Sequence, residues 1–180
     1  MLVVVPRQRR PSPAPSPSPE PETLFVVDDD SRVVFTDGSC LGNPGRGGWA
    51  WAIEDGPFAS GADGKTTNQR MEVQAVLEAL RVLDGPLVVA SDSAYVVNCF
   101  KQRWWVGWER RNWRNSQGAP VANQDLWEPL IAMALDPSRP VRFKKVLGHS
   151  GDPMNDLVDR LAVEAATTGS GRSGDRPPVF

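Results

Sequence analysis

Asp37, Glu72, Asp92 and Asp159 are the residues of this 180-residue chain best placed to do chemistry. Asp37 closes the run RVVFTD, Glu72 opens a helical pattern, Asp92 follows the apolar run LVVAS, and Asp159 falls one turn into the last helical pattern. Any one of them alone reads as a solvated or capping carboxylate. Gathered at the edge of a sheet without compensation, such acids repel one another and raise each other's pKa, so a fold keeps the group where cations neutralise it. Hard oxygen ligands select magnesium, with manganese as a substitute. Two ions about 4 Å apart can activate water and stabilise the leaving oxygen of an in-line displacement at phosphorus.

The elements that must position these acids follow from local pattern. Arg32 to Asp37 is a β-branched and aromatic run that stops at GSCLGNPGRGG, WAWAI at 49–53 supplies a second strand, and Phe58 to Ala62 a third before the polar loop GADGKTTN. From Arg70 to Leu83, Met71, Val73, Val76, Leu77, Leu80 and Leu83 recur at mainly three- and four-residue steps, with Thr67 or Asn68 as the cap. Leu87 to Ser91 is a continuously apolar strand. Helices are expected at 94–100, 125–135 and 155–166, with a strand at 141–147. The order βββαβααβα suggests an α/β domain, a mixed sheet with helices on both faces.

Composition bounds the rest. Residues 1–30 hold a Pro/Ser-rich stretch with nothing to bury, and 169–180 reads likewise, so both are expected to be disordered tails flanking a catalytic domain at 31–168. The first tail is a tether or a docking segment for an unknown partner. No apolar run approaches the roughly 20 residues that span a bilayer, and Met1 to Val5 is too short for the core of a secretory signal. Two cysteines without paired spacing argue against a disulfide scaffold or a zinc site. A soluble, cytoplasmic monomer without membrane contact is the expectation.

A net charge of −2 excludes a protein that coats nucleic acid over its whole surface. The charge is nevertheless segregated: 101–124 carries five cations and one acid. There Trp104, Trp105, Trp108 and Trp113 interleave with Arg103, Arg110, Arg111 and Arg114. Aromatic faces for sugars and cations for phosphates make a backbone-tracking surface with little sequence preference.

TDGSCLGNPG around Asp37, TTNQRMEVQA around Glu72, ASDSAYV around Asp92 and GHSGDPMNDLVDRLA around Asp159 resemble the four signature blocks of type 1 ribonuclease H. Four ordered blocks, each with its acid, are far more specific than one glycine motif. The resemblance implies a ribonuclease H-like fold with a five-stranded mixed sheet. It implies an endonuclease that cuts the RNA strand of an RNA/DNA hybrid, leaves 3′-hydroxyl and 5′-phosphate ends, and serves in primer and R-loop removal. Asp37, Glu72, Asp92 and Asp159 map onto the metal-binding acids.

His149, the single histidine, matches the family residue thought to assist proton transfer or product departure. Cys40, Asn43, Asn68 and Gln69 match positions that contact the RNA strand, whose 2′-hydroxyls distinguish it from DNA. Lys65, Thr67 and Asn123 resemble a pocket for a DNA-strand phosphate that sets the register of the cut. GWERRNWR resembles the basic handle of many bacterial members, with Trp104 and Trp108 lining the DNA channel. Asn112 stands at a bend where glycine is common, a left-handed position that asparagine tolerates. Asp152 and Asp156 depart from the family pattern by adding acid near His149. The rival readings are a related-fold DNA nuclease of the transposase, integrase or resolvase kind and a non-catalytic hybrid-binding protein.

Overall fold

The computed structural model describes residues 30–148 and 151–180. Residues 1–29 of the expected N-terminal tail, and His149 with Ser150, lie outside the described residues. The elements run β1 Arg32–Leu41, β2 Gly45–Ile53, β3 Phe58–Thr66, α1 Asn68–Val82, β4 Leu87–Ser91, α2 Ala94–Lys101, α3 Trp104–Arg110, α4 Gln124–Ala134, β5 Val141–Lys145, α5 Pro153–Thr168 and β6 Ser173–Gly174. The sheet order is β5-β4-β1-β2-β3-β6. β1, β4 and β5 are parallel, while β1, β2, β3 and β6 follow one another antiparallel. The sheet is thus mixed and α/β as expected, with six strands among the described residues instead of five.

Side-chain alternation along the central strands buries both faces. Val34, Trp51, Ile53 and Val89 join α1, α2, α3 and α4 in one core, whereas Phe35, Ala50, Ala52 and Phe58 pack under α5 in the other. Two caps fix where the helices begin. The Thr67 hydroxyl accepts the Arg70 N–H at 3.3 Å at the start of α1, and Asp152 accepts the N–H groups of Met154 and Asn155 at 3.0 and 3.3 Å at the start of α5. Asp152 is therefore an N-cap, and with Pro153 in the first turn it starts α5 two residues earlier than the apolar period suggests. Among the described residues no helix is long and apolar enough to cross a membrane.

Three departures from the expected elements have local causes. The first hairpin is longer than expected, since β1 and β2 pair to Leu41↔Arg46 around a turn at 42–44 in which Gly42 takes φ 77°. Residues 104–110 form helix α3 because Trp104 and Trp108, four apart, both turn toward the core. The segment 169–180, expected as a disordered tail, runs back along β3 instead. Gly169 ends α5 at φ 73°, Ser60 and Arg172 exchange backbone and side-chain hydrogen bonds, and Ser173 and Gly174 pair with Ala59 and Phe58. A backbone edge needs no apolar side chain to attract a partner strand, so composition could not reveal this.

Candidate active site

Asp37 and Asp92 come together through the sheet. The parallel β1–β4 ladder ends at Thr36↔Ser91, so the next residue of each strand, Asp37 and Asp92, emerges at the same level. β1 itself continues beyond Asp37 to pair with β2, which puts the acid inside a strand and leaves it only 9% exposed. Glu72 is delivered by α1, and Gly38 permits the approach: a Cβ there would stand 2.2 Å from the Glu72 backbone nitrogen. Asp159 comes from the opposite layer, on α5.

The electrostatics report the convergence. Asp37 is pushed up to about 8, mainly by burial and then by the charge of Asp92; Asp159 and Glu72 raise it further, against a 2.7 Å hydrogen bond donated by the Gly38 N–H. Glu72 is also raised, again by burial first and by Asp92. The Ser93 hydroxyl, donating at 2.6 Å, the Asn68 amide, donating at 2.9 Å, and the charge of Lys145 pull it back.

Several of these supporting residues carry no sequence signal for the role. Ser93 reads as a plain cap of α2, which it is, its hydroxyl accepting the Val96 N–H at 3.2 Å. Asn155, 2% exposed, donates its side-chain amide toward Asp92 Oδ2 at 3.5 Å and leaves its own Oδ1 unpaired. Lys145, at the end of β5, donates to the Asp92 backbone carbonyl. Only the folded sheet shows that β5 ends beside β4.

The donor set suits a hard divalent cation: it is all-oxygen and anionic, and burial together with the neighbouring acids raises Asp37. Among the described residues no three carboxylates, thiols or imidazoles are close enough together to ligate one ion as they stand. The acids lie within electrostatic range of each other rather than in a closed cage.

Around this cluster, Asn43 and Asn68 lie side by side, the Asn43 side-chain oxygen accepting the Asn68 N–H at 3.3 Å. Cys40, on β1, donates its thiol to the carbonyls of Gly42 and Thr66. Gln69 is exposed on the first turn of α1. Lys65 is exposed near the end of β3, Thr67 caps α1, and Asn123, in the left-handed region at φ 59°, precedes α4. Arg70 and Asp125 join the two helix starts through a bidentate ion pair at 2.9 and 2.6 Å, which the sequence patterns did not announce. Asp156 lines an open cavity with Gly151, Asp159 and Arg160.

The handle needs one correction. Trp108 is 8% exposed and packs on Trp127 with ring centroids 5.6 Å apart, so it belongs to the core rather than to a channel wall. Trp104 and Trp113 flank it, at 6.3 and 6.0 Å, and are only partly buried. The cations do face outward: Arg110, Arg111 and Arg114 are exposed. Arg111 and Arg114 also donate to the carbonyls of Arg114 and Gly118, at 3.1 and 2.8 Å, which shapes the loop. Asn112 adopts the left-handed conformation expected for it, at φ 52°.

Comparison with known proteins agrees with this fold. The family model described as RNase H matches residues 29–167. A ribonuclease H from Syntrophomonas wolfei is 47% identical over 139 residues, 74% of this chain and 94% of the relative. One from Thermus thermophilus is 47% identical over 134 residues, 72% and 80% of the two chains. Among solved structures, the crystal structure of LC9-RNase H1, a type 1 RNase H with the type 2 active-site motif, superposes with a TM-score of 0.69 at 28% identity, covering 82% of this chain and 79% of that one.

Proposed function

Because this chain belongs to the ribonuclease H family, we propose that it is a metal-dependent endonuclease that hydrolyses the RNA strand of RNA/DNA hybrids and leaves 3′-hydroxyl and 5′-phosphate ends. The observation that carries the reading is a juxtaposition of acids: Asp37 and Asp92 directly follow the last paired residues of the parallel β1–β4 ladder, and Gly38 lets α1 bring Glu72 close against β1. Asp37, Glu72, Asp92 and Asp159 would hold the metal. Two magnesium ions, with manganese as a substitute, would supply charge neutralisation and water activation for an in-line displacement at phosphorus.

The chain's own residues do the rest. Ser93 and Asn68 orient Glu72, and Asn155 and Lys145 hold Asp92 from its side chain and its backbone. Asn68 reaches Glu72 and Asn43 reaches Asn68, and these two with Cys40 and Gln69 would contact the RNA strand's 2′-hydroxyls. Lys65, Thr67 and Asn123 would grip a phosphate of the DNA strand, and the exposed arginines of the handle would track its backbone. His149 would carry a proton or assist product departure.

The deciding experiment presents one labelled strand as RNA/DNA hybrid, RNA/RNA duplex, DNA/DNA duplex or single-stranded RNA, with magnesium and with chelator. Cutting confined to the RNA of the hybrid, and dependent on metal, is the expected result. Metal-dependent cutting of DNA would move the chain to the recombinase side of this fold, and tight hybrid binding without cutting would make it a binding module.

A further inference from the structure

We infer that the Arg70–Asp125 ion pair is a positioning device that aligns the two halves of the DNA-phosphate pocket and thereby sets where the RNA is cut. The inference rests on the pocket reading given above for Lys65, Thr67 and Asn123. Those residues come from two places far apart in the chain, the β3–α1 junction and the entry to α4, whose helices share one core. The Thr67 hydroxyl is occupied by its own helix, accepting the Arg70 N–H at 3.3 Å. Asn123 holds a left-handed backbone at φ 59°, and its carbonyl accepts the N–H groups of Leu126 and Trp127, both at 3.0 Å. Its side chain makes no capping bond, which leaves the amide unspent on α4.

Arg70 lies in the first turn of α1 and Asp125 in the first turn of α4. Their two parallel N–H···O contacts, 2.9 and 2.6 Å, form a planar fork that fixes orientation as well as distance. The side chains are 30% and 61% exposed, and a pair that open contributes little to global stability. What it does supply is registration. It holds two helix N-termini next to each other, and each presents the positive end of a helix dipole. It also engages the Arg70 guanidinium, while the Lys65 side chain is exposed.

Binding in chelator, where no cleavage is expected, tests the idea. The full chain is titrated with hybrids that carry a neutral methylphosphonate at one DNA-strand position at a time. The parent protein should lose about tenfold in affinity at one position, the loss expected for one charge-assisted phosphate contact. Arg70→Ala and Asp125→Ala should each lose that position dependence while keeping a thermal midpoint near the parent's. The reversed pair, Arg70→Asp with Asp125→Arg, should restore it, and the cleavage sites mapped with magnesium should spread in the single variants and sharpen again in the reversed pair. Unchanged position dependence in both single variants, with Asn123→Ala losing it, would overturn the inference and leave the pocket standing. A reversed pair that folds as stably as the parent yet restores nothing would also overturn it. A parent that is insensitive at every position would remove the pocket itself.

Discussion

The Ser93 hydroxyl donates to Glu72 Oε2 at 2.6 Å while its oxygen accepts the Val96 N–H at 3.2 Å, so one side chain both starts α2 and holds a carboxylate of the candidate site. Its donation favours the charged form of Glu72 and opposes the burial that raises that acid. Ser93→Ala therefore has two separable consequences. Loss of the cap lowers stability by about 1 kcal/mol. Loss of the hydrogen bond raises Glu72 further, so the acidic limb of the kcat–pH profile moves to higher pH. Ser93→Thr, which keeps the hydroxyl, should return both. A profile that stays in place while stability falls would reduce Ser93 to a cap.

Asp37 makes the metal-free protein pH-sensitive in a direction opposite to that of an ordinary salt-bridged acid. Its folded value near 8 lies above the usual 3.8, so the folded state holds a proton that the unfolded chain has already released. Stability from this group is fully present below about pH 4 and is lost as pH rises toward 8. With chelator, thermal melts of the parent should fall across that interval more steeply than those of Asp37→Asn, and the variant should be the more stable of the two at pH 8. Magnesium at pH 8 should raise the parent's midpoint more than the variant's, because binding to the folded state alone stabilises it. The same variant should bind hybrid and fail to cut it. Identical pH curves for parent and variant would show that Asp37 is not carrying uncompensated charge.

How far the chain's pattern reached can be judged residue by residue. Strand and helix periods placed Asp37, Glu72 and Asp92 at or near element ends, because alternation and the 3.6-residue repeat are local properties. The parallel neighbours of β1 were not legible: the adjacency of Asp37 and Asp92 depends on β4 crossing to its side, a long-range pairing that leaves no mark on either run. Ser93 and Asn155 looked like ordinary cap and helix residues, since their partners Glu72 and Asp92 lie 21 and 63 positions away. Trp108 misled for a different reason. A tryptophan among arginines reads as a surface residue until the helix that carries it is turned against Trp127.

The returning C-terminal segment gives β3 a neighbour and ends on Phe180, whose ring is approached by the guanidinium groups of Arg160 and Arg172 at 5.8 and 5.4 Å. Arg172 also pairs with Glu164 at 2.7 Å. Deleting 170–180 removes two strand pairs and the Ser60–Arg172 bonds, and should cost about 2 kcal/mol on the scale of one to two net hydrogen bonds. The exposed edge of β3 should then self-associate, visible as a concentration-dependent mass in sedimentation, while per-molecule cleavage at dilution stays close to the parent's. A truncated chain that is as stable and as monodisperse as the parent would show that the segment only rests on the sheet.

The handle separates into residues that hold and residues that reach. Trp108→Ala opens a cavity beside Trp127 and should destabilise the protein by about 3–5 kcal/mol, so its effect on binding is inseparable from folding. Arg110, Arg111 and Arg114 are exposed, and their replacement by alanine should leave the core intact. Each phosphate they neutralise contributes about 0.9 to the slope of log affinity against log salt, so the triple variant should flatten that slope by about 2 to 3. Arg111 and Arg114 spend one contact each on loop carbonyls, but a guanidinium has five N–H donors and retains the rest for a phosphate. Single substitution at Arg110, which has no such structural bond to lose among the described residues, is the cleanest arm. A salt slope unchanged in the triple variant would take nucleic acid away from this face of the protein and leave α3 as a buttress for Trp127.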